Sequence, residues 1–379
     1  MLNISEQIFK QIKAARSILV VFPINWENDE VFASLALYSS LKKLGKTVEI
    51  VAQKPNKNLD NFAFIPEIKE VKFSLEHLRR FIVSLDISKT KVSQIKYVVD
   101  ENKLNFIVSP ADGWFESKDV SSRAGEFKHD LIMVIGANDL ESLGTIYDQN
   151  IEFFYKTPII NISCEATTEE FGQINLININ HAAVSELIFK LIKTWPENIV
   201  NEYIATLILA GIIAKTKNFK INNLNPETLL LTSELISLGA KREEIINRFY
   251  RSRQIDDLKV WGKILNNLRL EMAGKLIVSH IKLTDLEIKS VNEETLEDII
   301  EELIINLPNA LVAVILIENP NNQTTLYLYS LKNINILELA NKYKLLGNIK
   351  SATFTLKKNL SMADQEITEY LKNQLDKLR

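Results

Sequence analysis

The chain has 379 residues, of which 46% are hydrophobic and 25% charged, the balance of a folded globular protein and not of a disordered one. That length exceeds one ordinary domain and suits two. A formal net charge of −3 supplies no global basic field for nucleic acid, although a local basic groove is compatible with it, and the single cysteine, Cys164, excludes an internal disulfide and a cysteine-built zinc site.

In chain order, residues 1–22 join an amphipathic helical pattern to a strand, without the apolar core of a signal segment, and read as mature, cytoplasmic sequence. Ser17–Phe22 is a continuous apolar run of strand length. Asp29–Leu44 has helical spacing and stops at Gly45, and Val48–Ala52, His129–Gly136 and Pro158–Ile162 are further strands, the last followed by a helix over 182–194. Buried-type strands separated by helices predict a mainly parallel sheet covered on both faces. Arg80–Pro110 reads differently, as antiparallel strands around an Asp100-Glu101-Asn102 turn, expected to extend the edge of the main sheet. From Val200 to Tyr250 the pattern is helical, with breaks at Gly211 and Gly239. A second unit with its own sheet begins near Lys275, with strands in LIVSHIKL, ALVAVILIE, TTLYLYS and SATFTLK and a helix over Ile336–Tyr343. The longest apolar runs, Ala205–Ala214 and Ala310–Ile317, fall short of the ~20 residues that cross a bilayer, so no membrane contact is expected.

Four stretches carry a resemblance. In residues 161–192, Asn161, Ile162, Phe171, Gly172, Asn175, Ser185, Glu186 and Leu187 stand at the spacing of a strand, a loop and a helix. DLIMVIGANDLESLG (130–144), AGIIAKTKNF (210–219) and the opening PINWENDEVFASLALYSSLKKLGKTVEI complete the set. Together they resemble the DHH phosphoesterases, in particular the nanoRNase and pAp-phosphatase branch, and YKLLGNIKSATF resembles more weakly the Gly-rich part of the DHH-associated domain. The resemblance implies an α/β architecture of two domains across a cleft: a DHH-type domain over 1–255, a linking helix over 256–274 and a smaller α/β domain over 275–379. It also implies two-metal phosphodiester hydrolysis with manganese or magnesium, a chemistry that needs carboxylates and imidazoles converging at strand ends.

Matched position by position, that ligand shell is depleted. Pro23 stands at the first His, Glu27 and Asp29 at two Asp positions, and Gly136 at a third, with Asp139 three residues on. Ser163, Cys164 and Glu165 replace Asp-His-His, and Lys215 replaces the last Asp. None of His77, His129, His181 and His280 falls at a ligand position. In the C-terminal domain Tyr329 stands where the family binds substrate with Arg, and Gly347 and Asn348 fall in the former Gly-Gly-Gly-His. An ammonium at 215 repels a cation where a neutral residue would merely weaken its binding, and the expectation is that Lys215 lies within about 4 Å of Asp29, Glu27 or Glu165 in place of a metal.

Each residue also has a plainer reading. Glu27 and Asp29 are either ligands or acids favoured by a helix N-terminus, the simpler account. Cys164 is a buried small residue before it is a nucleophile, His181 a solvated cap, the Arg248–Arg251–Arg253 group a solvated helix face, and Trp26 and Trp114 packing residues before they are base-stacking ones. The expected function is a non-hydrolytic DHH-type scaffold that binds a nucleotide, a short single-stranded nucleic acid or a protein, with no cofactor and pairing of two copies as an option. The competing readings are a nucleotide sensor and a residual metal-dependent hydrolase of oligoribonucleotides, pAp or cyclic dinucleotides, built on Glu27, Asp29, Asp139 and Glu165.

Overall fold

The computed structural model describes residues 3–55, 62, 64–196, 198–221, 224–250, 255–282, 291, 293–319 and 322–377, and divides the chain into two compact units, 1–251 and 252–379. The first unit opens with α1 (Ile4–Ala14), whose N-terminus is closed by reciprocal bonds between Asn3 and Glu6. β1 (Ser17–Val21), α2 (Asn28–Lys43), β2 (Thr47–Val51) and β3 (Val71–Lys72) follow. Next come β4 (Arg79–Leu85), β5 (Val92–Asp100), β6 (Lys103–Pro110) and β7 (Val120–Phe127), and then β8 (Leu131–Ile135), α3 (Thr145–Asp148), α4 (Ile151–Lys156), β9 (Ile159–Ser163) and β10 (Ile174–Ile177). The helices α5 (Val184–Lys193), α6 (Glu202–Lys215), α7 (Pro226–Ser237) and α8 (Arg242–Tyr250) complete the unit.

Six of these strands form one sheet, ordered β10-β9-β8-β1-β2-β3, with every pairing parallel. Alternate residues of its central strands enter two separate cores. Ile18, Val20, Leu131, Met133 and Ile135 face one core, and Leu19, Val21, Ile132 and Val134 the other. Burial on both faces is why these strands are unbroken apolar runs and not alternating ones. The chain leaves β1 toward β2 on one side and returns at β8 on the other. The ends of β1 and β8 therefore flank the point where strand order reverses, the usual place for a site in an open parallel sheet.

Two sequence expectations fail in this unit. The segment read as an edge extension forms two separate two-stranded ladders, β4 with β7 and β5 with β6, neither of them in the six-stranded sheet. Its strands alternate apolar and polar residues, which does not suit a sheet covered on both faces. Gly211 does not break a helix either. It lies inside α6, where a Cβ would come within 2.0 Å of Ser185 Oγ and 2.8 Å of Asp29 Oδ1, so its lack of a side chain is what lets α6 approach α2 and α5.

The second unit contains α9 (Ile255–Asn266), β11 (Arg269–Glu271), β12 (Leu276–Lys282), α10 (Glu293–Glu302), β13 (Val312–Asn319), β14 (Gln323–Ser330), α11 (Ile336–Leu339), β15 (Leu346–Gly347), β16 (Ser351–Leu356) and α12 (Leu360–Lys377). Its sheet runs β11-β12-β13-β14-β16-β15, with β12 and β13 parallel and the other pairs antiparallel. One face packs on α12 and α11; the other packs on α9 and α10. Val260, Trp261 and Ile264 of α9 are buried in this unit's core, which makes α9 a packed helix of the unit. The helix expected over Ile336–Tyr343 is the single turn of α11. Among the described residues no helix is long and apolar enough to cross a membrane.

Candidate functional site

The loops after β1, β8 and β9 and the C-terminal end of α6 bring together most of the positions singled out in the sequence. Lys215, the last residue of α6, places its Nζ 3.0 Å from Glu27 Oε2 and 2.9 Å from Glu165 Oε1. Burial by itself would lower the pKa of this lysine, but the hydrogen bonds and negative charges of Glu165 and Glu27 outweigh it and hold the ammonium above its ordinary range. The side chains of Lys215, Glu27 and Glu165 are 27%, 49% and 45% exposed, so solvent screens much of their attraction.

Asp29 is buried and differently employed. Its Oδ2 accepts from the Val184 N–H at 2.6 Å, and its Oδ1 accepts from the Ser185 N–H at 3.1 Å and the Ser185 hydroxyl at 2.5 Å. Ala183, the residue at the N-cap of α5, has no side chain able to cap, so a carboxylate from α2 closes the helix from 155 residues away. Burial raises the pKa of Asp29, while the bonds from Ser185 and Val184 and the charge of Lys215 offset part of the rise. Asp29 therefore does cap a helix N-terminus, but that of α5 and not its own.

Beside Asp29 lies a residue that the sequence did not single out. Glu30 is 7% exposed, and its Oε2 has no hydrogen-bond partner among the described residues. Its side chain occupies the space next to Gly136, where a Cβ would fall 2.4 Å from Glu30 Cγ and 3.1 Å from Cδ. Gly136 also has a φ of +72°, which disfavours any larger residue. Gly136 and the buried glutamate are thus one steric arrangement. Burial first, and then the charges of Glu27 and Asp29, push the Glu30 carboxyl up to about 9.

The consequence for stability has a definite sign. A carboxyl whose pKa is higher in the folded than in the unfolded chain gives stability that is complete below its unfolded value near 4.5 and is lost as pH rises toward 9. Glu30→Gln, neutral throughout, removes this loss. We expect it to lower stability near pH 4.5 by the cost of seating a buried amide, about 1–3 kcal/mol, and to raise it at pH 8 by about 2 kcal/mol after that same cost. Urea denaturation at pH 5, 7 and 8.5 checks this, and equal pH slopes for both proteins would refute the buried-acid assignment.

The remaining expected residues have structural partners. Pro23 is buried at the end of β1. Asp139 Oδ1 accepts from the Ser142 N–H at 2.7 Å and shapes the turn after β8. The Ser163 hydroxyl bonds to Thr168 Oγ1 at 2.7 Å and accepts from the Glu165 N–H at 3.2 Å. Burial, with the charges of Asp29 and Glu165, pushes the Cys164 thiol up to about 12, which removes the thiolate that a nucleophile needs. Trp26 is fully buried, its indole N–H donating to the Gln53 carbonyl at 2.7 Å, whereas Trp114 is exposed. His181 is not a solvated cap. It is buried against Glu186 at 3.0 Å and Lys190 at 3.1 Å, because Glu186, itself fully buried, needs donors and also takes them from Thr228 and Ala182. Of the arginine group only Arg248 lies among the described residues, over the Phe64 ring, while Arg251 and Arg253 lie outside them.

Residues that carried the resemblance hold this end of the sheet in shape. Asn161 Nδ2 donates to the Glu169 carbonyl at 3.0 Å, and Asn175 bridges Gly172 through both its oxygen and its amide. In the second unit Tyr329 is buried on β14 opposite Ser351, and burial raises its pKa. Gly347, with a φ of +145°, leaves no room for a Cβ against the Ser351 carbonyl, and Asn348 closes the turn by accepting from Lys350 and Ser351.

A two-metal site does not fit this set. Of the carboxylates Glu27, Asp29, Asp139 and Glu165, an ammonium sits between Glu27 and Glu165, Asp29 is committed to α5 and Asp139 to a turn. Among the described residues no group of three or more His, Cys, Asp or Glu is placed to hold a metal ion.

No family model matches the chain. Over 123 residues, 32% of its length, it is 29% identical to the bifunctional oligoribonuclease and PAP phosphatase NrnA of Thermus thermophilus, and over 115 residues it is 26% identical to the uncharacterized protein MG371 of Mycoplasma genitalium. The matched stretches span only 37% and 35% of those relatives. A crystal structure of an exopolyphosphatase-related protein from Bacteroides fragilis superposes with a TM-score of 0.67 at 17% identity, covering 98% of this chain and 96% of that one, a likeness of fold. Over the matched stretch the chain is thus homologous to the Thermus oligoribonuclease and PAP phosphatase, and its parallel sheet with a separate second sheet unit is the fold of the exopolyphosphatase-related protein.

Proposed function

We propose that this chain is a DHH-type scaffold that binds a nucleotide or short single-stranded nucleic acid, or a protein partner, without hydrolysing it. The observation that supports this most is the ammonium of Lys215 between Glu27 and Glu165. A cation entering there meets a fixed positive charge; at ~4 Å and an effective dielectric near 20, even two unit charges interact by about 4 kcal/mol. The ammonium offsets one of the two negative charges of Glu27 and Glu165 and takes up a hydrogen-bonding oxygen of each. The residual hydrolase, which would need manganese or magnesium on Glu27, Asp29, Asp139 and Glu165, is the weaker reading for the same reason. The two sheet units and their end-of-strand loops are retained, which favours a binding role in the soluble phase of the cell, with nucleotides as first candidates by kinship.

Purified protein with millimolar manganese or magnesium is expected to hydrolyse short RNA oligomers, pAp and cyclic dinucleotides no faster than buffer. Turnover that survives repurification and disappears in Glu165→Gln would show a working metal site. In the same samples a bound nucleotide is read by thermal shift, because a ligand at 100 times its Kd stabilises by about 2.7 kcal/mol.

A further inference from the structure

The two ladders β4–β7 and β5–β6 form an arm over residues 79–127, and in β5–β6 one face is wholly apolar while the other mixes Val98 and Ile107 with charged and polar residues. Directly paired residues of an antiparallel ladder share a face. In β5–β6 the pairs Ile95–Val108, Tyr97–Phe106 and Val99–Leu104 therefore lie together, while Lys96–Ile107, Val98–Asn105 and Asp100–Lys103 lie on the other side. The first face carries no charge. Ile95, Tyr97, Val99, Leu104 and Phe106 keep between 54% and 71% of their surface exposed, so the chain itself does not cover them. The β4–β7 ladder of the same arm also leaves Phe81, Val83 and Val120 more than half exposed.

A two-stranded hairpin is at best marginally stable in water, and it gains independent stability only when its apolar face is covered. At roughly 100 Å² for each of these eight side chains the arm presents on the order of 800 Å² of apolar surface. That exceeds the few hundred Å² usual on a monomer and matches what one partner contributes to a standard stable interface. We propose that the occupant is a second copy of this chain, with the β5–β6 faces of two arms packed against each other about a two-fold axis. An uncharged face of three cross-strand pairs is complementary to itself, as an isologous interface requires, and it places the Tyr97–Phe106 pair near the centre, where aromatic anchors bind best. Lys96, Asp100 and Lys103 stay on the outer, wet side. The inference is independent of the reading of the Lys215 site.

Sedimentation of the full chain at micromolar concentration is expected to show a dimer. Tyr97→Lys with Phe106→Lys should abolish it, and Ile107→Lys, on the opposite face of the same strands, should not. If the double variant misfolds, hydrogen exchange decides: the amides of β5 and β6 in the wild type should lose protection on dilution while those of β1 and β8 keep theirs. A wild type that stays monomeric overturns the proposal, and so does a dimer that the double variant leaves intact. Monomeric protein that co-sediments with phosphatidylserine vesicles through Tyr97 and Phe106 would assign the face to lipid instead, and would equally overturn it.

Discussion

Asp29→Ala is expected to destabilise the first unit by roughly 3 kcal/mol or more, and to do so in EDTA, where no metal takes part. The carboxylate is buried and receives the Val184 N–H, the Ser185 N–H and the Ser185 hydroxyl. Truncation leaves these donors at the dry N-terminus of α5 without an acceptor, each such group costing about 1–3 kcal/mol. It also opens a void where α2, α5 and α6 meet, at the point where Gly211 permits the close approach. Asp29→Asn keeps the shape and one acceptor oxygen and should lose about half as much. Urea denaturation of the three proteins in EDTA makes the comparison. A metal ligand behaves in the opposite way: without its ion it is one of several repelling carboxylates, and its removal is neutral or stabilising. If Asp29→Ala costs less than ~0.5 kcal/mol in EDTA, the carboxylate is not a structural cap.

How far the sequence discloses the fold depends on how local the determining physics is. The runs Ser17–Val21 and Leu131–Ile135 are apolar at every or nearly every position because both faces of a parallel sheet are covered, and that is legible without a structure. The arm was legible as antiparallel strands, but its place was not. Nothing within residues 79–127 says whether their apolar face meets the same chain or another. Gly211 shows the same limit from the other side. By propensity a glycine in a helical stretch reads as a break, and only its neighbours across two other helices give the reason for it.

In the site, Lys215 could be seen in the sequence, and with it the partners an ammonium would seek, since acids stand at 27 and 165. Glu30 could not. In sequence it is the second of two acids in a helix first turn, the most ordinary of solvated positions, and its burial follows from the empty space above Gly136. The signal that would have found it is the coincidence of a glycine at 136 with a long acid at 30, a relation between positions far apart in the chain. The burial of His181 is hidden from the sequence for a similar reason: it bonds to Glu186 and Lys190 on the following helix, and Glu186 is held in turn by Thr228 on α7.

Lys215→Asp should weaken the fold by about 3 kcal/mol in EDTA and recover part of that loss when manganese is added. Wild-type Lys215 joins Glu27 and Glu165 at 3.0 and 2.9 Å, and removing the ammonium alone, as in Lys215→Ala, leaves two half-exposed carboxylates whose repulsion solvent and salt reduce to ~1 kcal/mol. An aspartate adds a third negative charge to the same space, beside Glu27 and Glu165 and near the buried Asp29, so the penalty grows with each charged pair. The variant thereby rebuilds a cluster of oxygen ligands of the kind that hard divalent cations take, although without imidazoles. Manganese should therefore raise the melting temperature of Lys215→Asp and leave the wild type unmoved, because the wild-type ammonium excludes the ion. Magnesium, which demands a more regular octahedral shell and sheds water reluctantly, should do less. The wild type also separates the mechanisms through pH: its ammonium is held above the ordinary lysine range, so the contribution of Lys215 is fully present below that range and persists across neutral pH. A Lys215→Asp protein as stable as the wild type in EDTA, and indifferent to manganese, would mean that the ammonium does not stand in place of a metal ion.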